Sequence, residues 1–191
     1  MQLEEGYIYH IYNQGNNKRT IFFTRSNYLF FIKKICTHIL PHADIIAWCL
    51  MPNHFHLMVY IKNEFIEINK GEKQRSINHS IGILLRSYTR AINKQEDTTG
   101  SLFRQDTKAK CVNCNEDYFR TIPYRPEIYL KESEQQYPQI CFDYIHQNPV
   151  AAGLVTKAND WEFSSAREYR NDEEVLVCKK RAFEFIAFTN S

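Results

Sequence analysis

The hydrophobic positions of the chain change period several times, and each change marks an element. Residues 6 to 13, GYIYHIYN, alternate and are rich in Tyr and Ile, which predicts a strand. The polar run QGNNKR reads as a turn. Ser26 or Asn27 can then cap a helix through YLFFIKKICTHIL to about residue 40. ADIIAWCL, residues 43 to 50, has little polar content and reads as a central strand. MPN is a turn, and HFHLMVYIK, residues 54 to 62, is the next strand, so the two are expected to form a hairpin.

Residues 63 to 75 are charged and irregular. Ser76 opens a long helix whose apolar residues at 77, 81, 84, 85, 88 and 92 follow helical spacing. After the loop EDTTGS, residues 102 to 112 alternate in part and predict a strand with basic residues on one face. A short helix is expected to begin over Glu116 to Thr121, and Pro123, Pro126 and Pro138 bracket a loop-like segment. QICFDYIHQNPVAAGLV reads as a helix ended by Pro149 and a further short turn. In WEFSSAREY, Trp161 is expected to pack on the sheet and a serine, Ser164 or Ser165, to cap the helix after it. The tail, residues 172 to 191, carries an apolar helix-like stretch. Interleaved strands and helices with at least one hairpin predict an α+β fold, an antiparallel sheet with helices packed on it.

Composition narrows the function. With 191 residues and 43% hydrophobic content, one domain with a substantial core is expected. A net charge of +2 excludes a chain that holds polyanions through its overall field, so any nucleic-acid surface must be a local patch. Aromatic residues at 14% serve a core or a stacking surface for bases. Six cysteines include a CVNC pair, Cys111 and Cys114, without the second pair that a zinc site needs. Cys36, Cys49, Cys141 and Cys178 are scattered in apolar runs, and most of them read as small core residues in a reducing compartment. The N-terminus MQLEEGY has no signal-peptide character and no run approaches the ~20 apolar residues of a membrane span, so a cytoplasmic protein free of the membrane is expected.

Two short stretches carry candidate chemistry. In MPNHFH, alternation aims His54 and His56 at one side of a strand, and Phe55 at the other. Such a pair can converge on one metal ion, or simply be two half-buried histidines at a strand start. In DYIHQNP, Tyr144 and Asn148 are one helical turn apart on one face. Asn148 can offer an oxygen to an ion held by the histidines, with the Tyr144 hydroxyl beside it as a nucleophile. Equally, Tyr144 can be a core tyrosine and Asn148 a cap before proline.

AWCLMPNHFHLMV, SLFRQDTKAK, DYIHQNPVAAGLV and DWEFSSAREY, in that order, resemble the single-tyrosine HUH transposases, and most closely their REP-associated branch. HUH denotes His, a bulky hydrophobic residue and His, here His54, Phe55 and His56. The resemblance runs from about residue 5 to about residue 170. It implies a ferredoxin-like or palm-like antiparallel sheet over residues 1 to 170, with the tail from 171 to 191 packed on the same domain. It also implies a divalent metal, Mg²⁺ or Mn²⁺, held by His54, His56 and Asn148. Asn148 stands where the wider family often has Gln, an arm one methylene longer. Tyr144 is the implied nucleophile, attacking single-stranded DNA beside a hairpin to leave a 5′-phosphotyrosine and a free 3′-OH.

Tyr88, in RSYTR, is the second tyrosine after the HUH strand, but its helical neighbours Leu84, Leu85 and Ile92 make it a packing residue. His146 falls on another face of its helix from Tyr144 and reads as structural or DNA-contacting. No nucleotide-binding loop is present, as befits a reaction that conserves its bond energy. Candidate phosphate contacts are Lys18, Arg19, Arg86, Arg90, Arg104, Lys108 and Lys110. A monomer is the expected state, although some relatives are dimers. Two rival readings stand beside this one: a domesticated DNA or RNA hairpin-binding protein that no longer cuts, and a metal-dependent hydrolase that activates water.

Overall fold

The computed structural model describes residues 2–68, 73–114, 137–171 and 175–188. Strands β1 (Ile8–Gln14), β2 (Ala43–Met51), β3 (His54–Ile61) and β6 (Lys108–Cys111) form one antiparallel sheet in the order β2-β3-β1-β6. Helix α1 (Arg25–His38) joins β1 to β2, and helix α2 (Ile77–Gln95) precedes β6. Strand, helix, strand, strand, helix, strand in this spatial order is the ferredoxin-like arrangement. The α+β expectation therefore holds.

Alternation along the strands divides the core in two. Tyr9, Ile11, Trp48, Leu50, Phe55, Leu57 and Val59 face α1 and α2, where Phe31, Ile35, Leu84 and Tyr88 complete one cluster. Ile8, Cys49, Met51 and Met58 face the other way. A bulge between Ile45 and Ala47 turns Ile46 and Ala47 to that second face together, and restores the alternation before Trp48. Helix α3 (Tyr137–Ala151) covers part of the second face with Cys141, Phe142 and Ile145. The chain then closes with α4 (Ala166–Asn171) and α5 (Lys179–Ala182), whose Ala182 packs into the same cluster with Ile186.

Several boundaries differ from the sequence expectation. The cap of α1 is Thr24, not Ser26 or Asn27; the Asn27 side chain instead reaches back to accept from the Phe23 and Thr24 N–H groups, both at 3.0 Å. Ser76 does cap α2, its hydroxyl accepting from the His79 N–H at 3.2 Å. Within the charged segment before it, β4 (Phe65–Ile68) and β5 (Lys73–Ser76) pair as a hairpin where irregular chain was expected. The basic strand shrinks to Lys108–Cys111, because Leu102 and Phe103 turn into the α1/α2 core. Helix α3 runs through Pro149 rather than stopping there. Pro149, which is buried, has no N–H to give to the Ile145 carbonyl, so the last turn forgoes one helical bond. The carbonyls that follow are satisfied by Ala152 N–H on Asn148 and Leu154 N–H on Pro149, and Gly153 at φ 68° ends the helix. Pro138 lies in the first turn of α3, whereas Glu116 to Thr121, Pro123 and Pro126 lie outside the described residues. In the tail only α5 is helical among the described residues. Cys49 and Cys141 are buried as expected, but Cys178 is half-buried, Cys36 is exposed, and Cys111 and Cys114 are disulfide-bonded to each other where reduced thiols were expected.

The chain beyond α4 meets β2 through the Cys178 N–H on the Ile45 carbonyl at 2.8 Å, and a buried carboxylate adds to this tie. Glu168 accepts from the Trp48 indole N–H at 2.6 Å and from the N–H groups of Val175, Leu176 and Val177 at 2.8, 3.0 and 3.2 Å. Glu168→Ala leaves all four donors without that acceptor inside the protein. We expect it to cost about 3 kcal/mol or more, read as a lower urea midpoint.

Candidate active site

The site follows from the register of β3, β1 and β6 on the second face. His56 lies opposite Tyr12, and Tyr12 lies opposite Lys108. One step along, Met58 lies opposite His10, and His10 opposite Lys110; at the other end His54 lies opposite Gln14. Opposite residues of an antiparallel pair share a face. Two histidines of β3, a histidine and a tyrosine of β1 and two lysines of β6 therefore form one patch. Helix α3 borders it with Tyr144 and Asn148. The Tyr144 ring stands edge-on to His56 at 5.5 Å between centroids and to His10 at 6.1 Å.

The turn before β3 is held firmly. Gly15 donates its N–H to the Asn53 carbonyl at 2.9 Å, and Ile21 and Phe22 donate to the Pro52 carbonyl at 2.8 and 3.1 Å. A side chain at Gly15 would run into the Arg19 carbonyl, so this close approach needs glycine. The Asn53 amide nitrogen donates to the Lys18 carbonyl at 3.2 Å, which turns its Oδ1 to His54 Nδ1 at 2.6 Å. His54 Nδ1 must therefore carry the proton and donate, leaving a lone pair on Nε2.

The donor set around that lone pair is unusual for a resting interior. Asn148 donates its amide nitrogen to the Tyr144 carbonyl at 2.8 Å, so its Oδ1 faces His54 Nε2, 3.5 Å away. Two acceptors thus confront each other. His56 Nε2 is buried with no hydrogen-bond partner, while its Nδ1 meets His10 Nε2 at 2.8 Å. An imidazole lone pair, a second buried imidazole nitrogen and an amide oxygen fit a divalent cation, which would satisfy all three. No carboxylate joins them: among the described residues no three His, Cys, Asp or Glu side chains are grouped for a metal.

Burial keeps the imidazoles neutral, as metal ligation requires. Desolvation pushes His10 down to about 3, helped by the positive charge of Lys110. It also drives His56 well below the usual histidine range, reinforced by His10 and His54, and lowers His54. Asn148 works against this lowering at both His54 and His56. The Tyr144 phenol is raised by burial, against which the Asn148 side chain works.

The other expected residues separate clearly. Tyr88 is fully buried among Phe22, Phe30 and Phe31 on the α1/α2 face, donating to the Ile21 carbonyl at 2.8 Å, so it is a packing residue on the far side of the sheet. His146 is buried and bonded to the Ser165 hydroxyl at 2.7 Å, which places it in the structure rather than on a ligand surface. Ser165 in turn meets the Trp48 N–H at 2.8 Å, and Trp161 donates its indole N–H to the Leu50 carbonyl at 3.0 Å. Ser164 accepts from the Ala166 N–H at 3.3 Å at the start of α4. Lys108 and Lys110 flank the histidine patch, whereas Arg86, Arg90 and Arg104 line a separate groove of about 630 Å³ between α2 and residues 100–107. Lys18 and Arg19 sit in the loop beside Asn53, Arg19 bonding to the Ser101 carbonyl. Sequence reasoning missed His10 and Tyr12. Their signal was present, an i, i+2 pair of ring side chains on a strand, like His54 and His56.

No protein-family model matches the chain, and no curated protein matches it significantly. A solved structure does: the REP-associated tyrosine transposase bound to a REP hairpin. It is 16% identical, with a TM-score of 0.56, over 93% of this chain and 88% of that one. The chain has the fold of that transposase. A likeness of fold over nearly the whole of both chains agrees with the resemblance carried by the motifs.

Fully buried neutral histidines make stability depend on pH. In the unfolded chain they titrate near 6.5, whereas His10 and His146 stay neutral to about 3 in the fold. The unfolded state therefore takes up protons that the native state refuses. Stability is complete above about pH 6.5 and falls as pH drops, by about 2 kcal/mol per such histidine at pH 5. Urea midpoints at pH 7, 6 and 5 should show this decline, and His146→Gln should remove its share of the slope.

Proposed function

We propose that the protein is a metal-dependent single-strand DNA transposase of the HUH tyrosine type, which cleaves and rejoins DNA beside a hairpin through a phosphotyrosine. The observation that carries this reading is the approach of one helix to the histidine pair. Tyr144 stands against His56, and Asn148, one turn later, aims its oxygen at His54. A hairpin-bearing DNA partner is consistent with the transposase whose fold this chain shares, since that protein is bound to a REP hairpin.

Each residue then has a defined task. His54, His56 and Asn148 would hold Mn²⁺ or Mg²⁺. Such an ion, when bound, supplies the charge that polarises the scissile phosphate and steadies the departing 3′-oxygen. Tyr144 Oη would attack phosphorus and give its phenolic proton to solvent, while the bond from phosphorus to the 3′-oxygen breaks and that oxygen takes up a proton from solvent, leaving a free 3′-OH and a 5′-phosphotyrosine. Reversal by another 3′-OH rejoins the strand without an external energy source. Lys108 and Lys110, in the cross-strand rows of Tyr12 and His10, would hold phosphates beside the cut. The groove with Arg86, Arg90 and Arg104 lies on the α2 side of the sheet and suits backbone phosphates away from it. Arg86 and Arg90 are one turn apart on α2, about 6 Å along its axis, comparable to a step between successive phosphates of one strand. The described residues include no helix long and apolar enough to cross a membrane. A cytoplasmic location belongs to the same reading, because the DNA substrate lies there. We take the working state as a monomer, because Tyr144 and the histidine pair meet within one chain.

Single-stranded oligonucleotides spanning hairpins, incubated with Mn²⁺ or EDTA, test the reaction by a covalent protein–DNA band on a denaturing gel. The band should need metal, vanish in Tyr144→Phe and persist in Tyr88→Phe. A metal-dependent nick without a covalent band, surviving Tyr144→Phe, would point to the water-activating hydrolase instead. Hairpin binding with neither nick nor band would identify a binding module. Replacing Lys108 and Lys110 by Ala should also flatten the salt dependence of hairpin binding, by about 0.9 in log–log slope for each phosphate no longer held.

A further inference from the structure

His10 lies outside the HUH motif, yet it is the only described partner of His56 Nδ1, at 2.8 Å. It is buried, stacked on Tyr12 at 4.8 Å between centroids and edge-on to Tyr144. A hydrogen bond between two neutral imidazoles can run either way. If His10 donates, the His56 proton sits on Nε2, where a buried N–H finds no acceptor and has no lone pair for a ligand. If His10 accepts, the proton sits on Nδ1 and the Nε2 lone pair faces the site. The neighbouring histidine has this second state already, because Asn53 Oδ1 can only accept from His54 Nδ1.

We propose that His10 is a positioning residue that accepts a hydrogen bond from His56 Nδ1, and so fixes the tautomer and ring orientation that present His56 Nε2 toward Asn148 and Tyr144. Asn53 does the same for His54. The two ligating rings are thus each held from behind by a different acceptor, one from the turn and one from β1. The proposal rests on the reading of His54 and His56 as metal ligands for its purpose, but its structural content, the position of one proton, is measurable without metal. Partners of this kind typically matter by 10–100-fold in metal affinity.

The test uses the full chain labelled with ¹⁵N at histidine. Long-range proton–nitrogen spectra at pH 7.5 report which ring nitrogen carries hydrogen, and His10→Gln and His56→Gln assign the signals among the seven histidines. His56 and His10 should both be protonated at Nδ1. A His56 proton on Nε2 would overturn the proposal, whatever the protein's activity. Mn²⁺ binding, followed by the electron paramagnetic resonance of the free ion, supplies the second readout. His10→Leu should weaken Mn²⁺ binding about 10–100-fold, and His10→Gln, whose amide oxygen can accept where Nε2 did, should restore most of it. Wild-type Mn²⁺ affinity in a folded His10→Leu protein would also sink the idea. Should His10→Leu not fold, the wild-type tautomer and the His10→Gln titration decide it. A wild type that binds no Mn²⁺ yet shows the Nδ1 tautomer would count against the metal reading and leave the hydrogen-bond assignment standing.

Discussion

The antiparallel register between β1 and β3 is the constraint on which the site depends. Side chains alternate with a period of two, so a slip of one residue would carry His54 and His56 to the face covered by α1 and α2. The register is fixed from the apolar side. Phe55, Leu57 and Val59 fill the α1/α2 core with Tyr9 and Ile11, and a one-residue slip of β3 would bring His54 and His56 into that core in place of Phe55 and Leu57. The functional face is thus specified by the packing of the opposite face. The bulge in β2 adds to this. It places Ile46 and Ala47 together under α3 and returns Trp48 to the first core, where its indole can meet Glu168.

A site shared between a sheet and a helix needs the helix held in depth and in rotation. Phe142 and Ile145 set the depth of α3 by packing on the second face. His146 sets rotation, because its bond to Ser165 leads directly to the backbone of Trp48 in β2. Tyr144 and Asn148 share the face turned to β3, and the amide of Asn148 is pinned to the carbonyl of Tyr144 one turn before. Pro149 does not undo this. It has no N–H to give to the Ile145 carbonyl, yet α3 continues to Ala151 and Ala152 N–H closes on the Asn148 carbonyl, so Asn148 lies inside the helix rather than at a fraying end.

Much of this is legible in the chain because it is local. The alternation of HFHLMVYI, the helical spacing after Ser76 and the i, i+4 placing of Tyr144 and Asn148 are properties of a few adjacent residues. They yield the strands, the long helix and the first set of site residues. His10 and Tyr12 show the same i, i+2 spacing, but its meaning depends on which strand lies beside β1, and pairing across 46 positions is not part of a local pattern. The hairpin β4–β5 is hidden by charged residues, which alternate as well as apolar ones do when both faces meet solvent. Thr24 escapes notice as a cap because its reciprocal partner, Asn27, is three residues on and has the chemistry of a cap itself. The five candidate cations outside the first loop divide by face for a reason that only register reveals, with Lys108 and Lys110 alternating onto the histidine side and the arginines gathered around α2.

The charge of the site is the last step. Its three candidate ligands are neutral: two imidazoles held uncharged by burial and one amide. Among the described residues no carboxylate is grouped with these three donors, and the lysines of β6, in the cross-strand rows of Tyr12 and His10, repel a cation placed there. Neutral ligands and flanking lysines together favour an occupant that brings negative charge of its own. A phosphodiester does so, balancing the ion and the lysines at once. Under the proposed function metal and DNA would reinforce one another's binding, each supplying the charge the other lacks, so that a site underfurnished for a metal alone would be adequate for a metal together with a phosphodiester.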